Sequence, residues 1–338
     1  MLFRSKHNYQ RKRPLNGKEE IFLRMRKIVL IICVFCIILS ACNIPNGNNE
    51  FQLPSVSSEE NKADESNAPS QTTVIPEESK MEGSEQPQLD ENETAEYSII
   101  DLSSFFGEMT GSAILLDSSG VYQVYNLEGN KKRVSPCSTF KIVAVLAALD
   151  LGIITKEESL IEWDGTVWPI RSWNTDMDAS AAFSTSCVWY FRKLIDKIGV
   201  DNLQDYLGML SYGNQNITQW EGSGVNGNPL IDGFWLESSL LISPIEQMEV
   251  LERIFKGGTD IKPETVEVLK EYMHIADFDG SGELYGKTGT GNGGWFIGFI
   301  ETNREYTFFA IRLDNQGNGN GAEAKTIAEN IIKLNLQI

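Results

Sequence analysis

The run Ile142-Val143-Ala144-Val145-Leu146-Ala147-Ala148-Leu149 constrains the fold more than any other stretch of the chain. Wound into a helix it has no polar face, so it has to be covered on every side. Gly152 marks its end, and Pro136 stands just ahead of it, where a helix start tolerates proline. Lys141 heads this helix, and Ser138, three residues earlier, shares its face. A serine hydroxyl is a weak nucleophile until a neighbour takes its proton. A lysine takes it only where burial has lowered its pKa. The first-turn N–H groups lie at the positive end of the helix dipole, a suitable place to hold an oxyanion. Taken alone, Ser-x-x-Lys fits the start of a capped core helix equally well.

Composition narrows the chemistry. The net charge of −18 argues against nucleic acid as a partner. The chain has two histidines, His7 and His274, so a His-Glu-x-x-His zinc site is excluded and no metal is expected. A Ser-His-Asp triad would rest on His274 alone, which points back to lysine as the base.

Residues 1–27 carry nine Lys or Arg against two Glu, a net of +7. The apolar run from Ile28 to Leu39 is short for a membrane span and suits the core of a signal peptide. It ends Leu39-Ser40-Ala41-Cys42, which resembles a bacterial lipoprotein signal with Cys42 as the lipidated residue. The basic segment is long for such a signal, and Met25-Arg26-Lys27 would make a more usual start. Residues 1–42 are therefore expected to be a signal, with lipid on Cys42 as the membrane partner. Residues 43–97 hold 13 Asp or Glu against two Lys, with almost no apolar pattern, and are expected to form a solvated acidic stalk.

Residues 98–338 have a globular composition and a net charge of −14. Ser112–Asp117 and Gly120–Asn126 predict a hairpin around Asp117-Ser118-Ser119-Gly120. Glu283–Gly289, Gly294–Glu301 and Tyr306–Leu313 predict three more strands, with Thr302-Asn303-Arg304 turning the last two. A helix is expected over Ala322–Leu334, and residues 138–275 are expected to be mostly helical. Strands at both ends with helices between predict an α+β domain: a central antiparallel sheet built from both termini of the domain, plus a helical subdomain.

Two further motifs suit serine acyl transfer. Lys287-Thr288-Gly289 lies on a predicted strand, where lysine and threonine can hold a carboxylate and glycine admits close approach. Ser186 offers a second hydroxyl, although by itself it fits a helix N-cap. Ser-x-x-Lys, Ser-x-x and Lys-Thr-Gly, in this order, mark the penicillin-recognising serine acyltransferases. Trp163-Asp164-Gly165, Trp173-Asn174, Ser186-Cys187-Val188-Trp189, Tyr212-Gly213-Asn214 and Phe234-Trp235-Leu236-Glu237 follow in register. From about residue 105 to the end, the chain closely resembles the class D (oxacillinase-type) serine β-lactamases and the related sensor domains of β-lactam receptors.

That resemblance implies a β-lactam hydrolase with the penicillin-recognising transpeptidase/β-lactamase fold. It casts Ser138 as the nucleophile and Lys141 as an N-carboxylated general base, with CO2 or bicarbonate as the only co-reactant. Trp235 matches the indole packed on the carbamate, and Ser186 the proton relay to the lactam nitrogen. The N–H groups of Ser138 and Thr290 match the oxyanion hole. Lys287, Thr288 and Gly289 match the substrate-carboxylate site, and Val188 and Leu236 the apolar residues that control water access. Tyr212-Gly213-Asn214 matches a structural motif. The expected partners are β-lactams and, through Cys42, an extracytoplasmic bacterial membrane, with a monomer favoured.

The departures also matter. Around Ala322–Ile327 there is no arginine of the kind that many relatives use for the carboxylate, leaving Lys325, Arg312 or neither. Residues 217–231 make a longer segment than in compact relatives. Cys137 and Cys187 each adjoin a site serine, as buried thiols or as a disulfide. Two alternatives share the acylation step: a non-hydrolysing β-lactam sensor, and a D-alanyl-D-alanine transpeptidase or carboxypeptidase.

Overall fold

A computed structural model describes residues 97–336 apart from 225, 279, 281 and 315–319. The expected signal, Cys42 and the acidic stalk up to residue 96 lie outside the described residues; Tyr97, expected to end the stalk, instead begins the first strand, where it pairs with Tyr122.

The elements follow in chain order. Strand β1 (Tyr97–Ile99) and the short helix α1 (Ser103–Phe106) precede the hairpin β2 (Gly111–Leu116) and β3 (Tyr122–Tyr125). Next come α2 (Leu127–Lys131), a 3-10 turn (Cys137–Phe140) and α3 (Lys141–Asp150). The helical part continues with α4 (Ala179–Ser184), α5 (Val188–Ile198), α6 (Val200–Met209), α7 (Pro244–Phe255) and α8 (Pro263–Met273). The chain then returns through β4 (His274–Asp277), β5 (Glu283–Gly291), β6 (Gly293–Thr302) and β7 (Glu305–Leu313) to α9 (Gly321–Leu336).

The strands form one seven-stranded sheet in the order β1-β3-β2-β7-β6-β5-β4. β2 from the start of the domain pairs with β7 from its end, Ile114 opposite Ala310, as expected of a sheet built from both termini. The sheet is mixed rather than wholly antiparallel, because β1 runs parallel to β3. The turn between β6 and β7 consists of Asn303 and Arg304, both with positive φ (52° and 69°), the geometry of a two-residue hairpin turn.

One sheet face carries α9, whose Ala324, Ile327, Ala328 and Ile331 pack with Phe296, Phe309 and Ile311. The other face carries the helical part, and α3 runs through its middle. Ile142 to Ala148 are all buried, so its lack of a polar face is matched by cover on every side. Burial of that kind stabilises by about 1.5–3 kcal/mol per large aliphatic side chain and fixes where Ser138 and Lys141 stand. Gly152, at φ 68°, follows the last turn.

Candidate active site

Ser138 sits in the 3-10 turn that leads without a break into α3. Lys141 begins α3, one turn on, and is wholly buried. Its Nζ donates to Ser138 Oγ at 2.7 Å and lies 5.3 Å from the centre of the Phe191 ring. Burial first, and the nearby Lys287 second, hold its pKa well below the usual lysine range. A buried amine with a lowered pKa beside a serine hydroxyl is the arrangement that the Ser-x-x-Lys spacing predicts.

Ser186 occupies the turn between α4 and α5 with φ 58°. It is not an N-cap: Cys187 holds that position on α5. Its Oγ accepts from Lys287 Nζ at 2.8 Å, and Lys287 also donates to the Thr288 carbonyl at 3.0 Å. Burial lowers the Lys287 pKa from 10.5 to about 7. A hydroxyl oxygen that accepts from an amine keeps its own proton free to donate elsewhere.

β5 brings Lys287, Thr288 and Thr290 against the nucleophile turn. Gly289 makes that approach feasible: a Cβ there would lie 3.2 Å from the Pro136 carbonyl oxygen and 3.3 Å from Thr139 Cγ2. The Thr290 hydroxyl accepts from the Gly321 N–H at 3.0 Å, which ties the start of α9 to the strand. Ser138, Ser186, Val188, Leu236, Thr288 and Thr290 line one cavity of 340 Å³. Ile170, Trp173, Thr185, Asn226 and Ile231 complete its wall. Sequence reasoning gave no role to Ile170, Thr185, Asn226 or Ile231. The last two come from the long segment 217–231, and its length was the only signal.

Trp235 is wholly buried, stacked on Phe140 with ring centres 6.0 Å apart. Its Nε1–H has no hydrogen-bond partner among the described residues. A buried N–H left this way is costly and calls for an acceptor. Phe140, on which Trp235 stacks, is the residue before Lys141. A carbamate oxygen is an acceptor of the kind the Trp235 N–H lacks, and a buried amine with a lowered pKa suits CO2 uptake.

Cys137 and Cys187 are buried free thiols, not a disulfide, and burial raises them to about 12 and about 11. Neither Lys325 nor Arg312 is among the residues lining the Ser138 cavity; Lys287 is not either, but it reaches the lining residue Ser186. Lys325 pairs with Glu329 at 3.7 Å, and Arg312 lies over Trp295 and donates to the Asn292 carbonyl at 2.6 Å. His274 pairs with Glu283 at 2.7 Å, half-exposed on β4, and is not part of the cavity wall. Tyr212 is buried and is not part of the cavity wall, and desolvation pushes its phenol far above its ordinary range. Asn214 is a brace: Oδ1 accepts from the Leu241 and Asn216 N–H groups, and Nδ2 donates to the Ser239 carbonyl.

A wholly buried lysine on a serine hydroxyl, beside a cavity that Thr288 and Thr290 of β5 help to line, fits the penicillin-binding transpeptidase/β-lactamase fold. The chain belongs to the penicillin binding protein transpeptidase domain family, whose model matches residues 105–333. Its homologues within that family are the BlaR1 and MecR1 sensor domains and the class D β-lactamases. It is 36% identical to regulatory protein BlaR1 of Bacillus licheniformis over 241 residues, 69% of this chain and 38% of that protein. The chain thus spans about two fifths of the BlaR1 length. Among solved structures, the C-terminal domain of the Bacillus licheniformis BlaR penicillin-receptor superposes with a TM-score of 0.65 at 35% identity, covering 71% of this chain and 97% of that one. A class D β-lactamase from Bacillus subtilis gives a TM-score of 0.63 at 34% identity, covering 70% and 95%.

Proposed function

We propose that this protein is acylated by β-lactams at Ser138 and hydrolyses them. The observation that carries the proposal is the buried Lys141 amine, 2.7 Å from Ser138 Oγ, with its pKa held well below the usual lysine range by desolvation. Ser138 Oγ attacks the lactam carbonyl carbon and its proton passes toward Lys141. The N–H groups of Ser138 and Thr290 hold the resulting oxyanion. Ser186 relays a proton to the lactam nitrogen as the ring C–N bond breaks: it gives its own and takes up in its place the proton that left Ser138, while the Lys287 amine orients that hydroxyl. Lys287 and Thr288 hold the substrate carboxylate. CO2 bound on Lys141 would supply a carboxylate-type base able to serve both acylation and attack of water. Val188 and Leu236 govern the approach of that water to the ester. Lipid on Cys42 would place the domain outside a bacterial membrane on its acidic stalk.

The similarity to BlaR1 sensor domains favours a second reading, in which the acyl-enzyme forms and persists. Intact-mass analysis after addition of a penicillin tests the shared step. One penicillin mass added at Ser138, and none in Ser138→Ala, supports it; an unmodified wild-type mass with the penicillin intact contradicts both readings.

A further inference from the structure

Glu237 does not line the Ser138 cavity, and the proposed reaction gives it no role. It nevertheless joins three walls of that cavity. Its Oε1 accepts from the Asn292 N–H at 2.7 Å and from Cys137 Sγ at 3.3 Å. Its own N–H donates to Ser135 Oγ at 2.9 Å, and Ser135 Oγ donates to the Trp235 carbonyl at 2.8 Å. That carbonyl also accepts from the Cys137 N–H at 3.0 Å. The loop with Trp235 and Leu236, the turn entering Ser138, and the β5–β6 turn therefore close into one hydrogen-bonded ring.

The backbone pays for this arrangement in strain. Cys137 and Glu237, neither of them glycine, both hold φ at 49°. Such a conformation persists where the surroundings over-determine it, and it gathers at functional sites. Gly291 shows how tightly the ring closes. A Cβ there would lie 2.3 Å from Glu237 Oε1 and 2.5 Å from Cys137 Sγ. Gly291 pairs with Gly293, so Asn292 is the apex of a tight turn, two residues past Thr290. Fixing the Asn292 N–H fixes the end of β5.

We infer that Glu237 is a positioning residue that holds the Thr290 side of the oxyanion site in register with Ser138. The inference rests on the acylation proposed above. It acts through a hydrogen bond rather than through charge: the amide oxygen of Gln can accept from Asn292 in the same place, and Ala cannot. Because Glu237 is exposed, removing its side chain leaves the core intact.

Two readouts on the full chain test it. Loss of register in an oxyanion site costs on the order of 10- to 100-fold in rate. Glu237→Ala should therefore slow β-lactam acylation by about that factor, with the non-covalent affinity unchanged, while Glu237→Gln stays within about threefold of wild type. In ligand-free protein, amide exchange at Gly291 and Asn292 should quicken in Glu237→Ala and return toward wild type in Glu237→Gln. Wild-type acylation and exchange in Glu237→Ala would overturn the inference, as would a Gln variant as slow as the Ala variant. If wild type is not acylated at all, the proposed function fails, and amide exchange still decides whether Glu237 holds the turn.

Discussion

Replacing Lys287 by methionine should make the protein more stable near neutral pH while removing its grip on a carboxylate. Burial lowers the Lys287 pKa from 10.5 to about 7. Between those values the unfolded chain binds a proton that the folded chain has released, so stability rises with pH across that window. The depressed pKa places a penalty of about 4 kcal/mol on the folded state at pH 7 and about 2 kcal/mol at pH 9. Methionine is unbranched and apolar and fills similar space without that penalty. It also loses the bonds to Ser186 Oγ and the Thr288 carbonyl, about 1 kcal/mol each. Lys287→Met should therefore be about 2 kcal/mol more stable than wild type at pH 7, with the advantage near zero at pH 9. Urea unfolding of both proteins at pH 6, 7, 8 and 9 measures this. A variant less stable at pH 7, or a difference that does not shrink with pH, would refute the burial argument. The same pKa implies that β-lactam acylation by wild type declines as pH rises above about 7 and Lys287 loses its charge.

Three other variants separate chemistry from structure. Lys141→Ala should acylate poorly and show no bicarbonate-dependent turnover, which burst and steady-state kinetics would read. Trp235→Phe removes the unpartnered indole N–H from a wholly buried ring site, so thermal stability should hold while the bicarbonate needed for full activity rises several-fold. Asn214→Ala loses two hydrogen bonds that brace the 212–216 segment to 239–241 and one within that segment, and should cost about 2 kcal/mol in denaturant unfolding with little change in acylation per folded molecule.

The parts of the fold that the sequence revealed are those with strong local codes. The apolar run of α3, the hairpin of β2 and β3, and the β6–β7 turn each carry a period or a turn residue that admits one reading. β1 and β4 lacked that code. They are three and four residues long and lie at the two edges of the sheet, where pairing depends on partners distant in sequence. Ser138, Lys141, Ser186 and Lys287 were legible because chemistry fixes their residue types. Glu237 was not, since its importance lies in reaching Asn292, 55 residues away. Nor was Arg192, a helix arginine by pattern. It is buried, pairs with Asp196 and lies over both Trp220 and Trp235, at 5.2 and 5.6 Å. The left-handed backbone at Cys137, Ser186 and Glu237 leaves no glycine to betray it.

The protein is proposed to be a β-lactam hydrolase whose base is built on the buried Lys141. The most direct test is hydrolysis of a penicillin and a chromogenic cephalosporin by the purified protein, with and without added bicarbonate. Many turnovers per Ser138, raised by bicarbonate and absent in Lys141→Ala, are the predicted result. A single stoichiometric burst that bicarbonate does not extend would contradict hydrolysis and leave a protein that binds β-lactams and stays acylated.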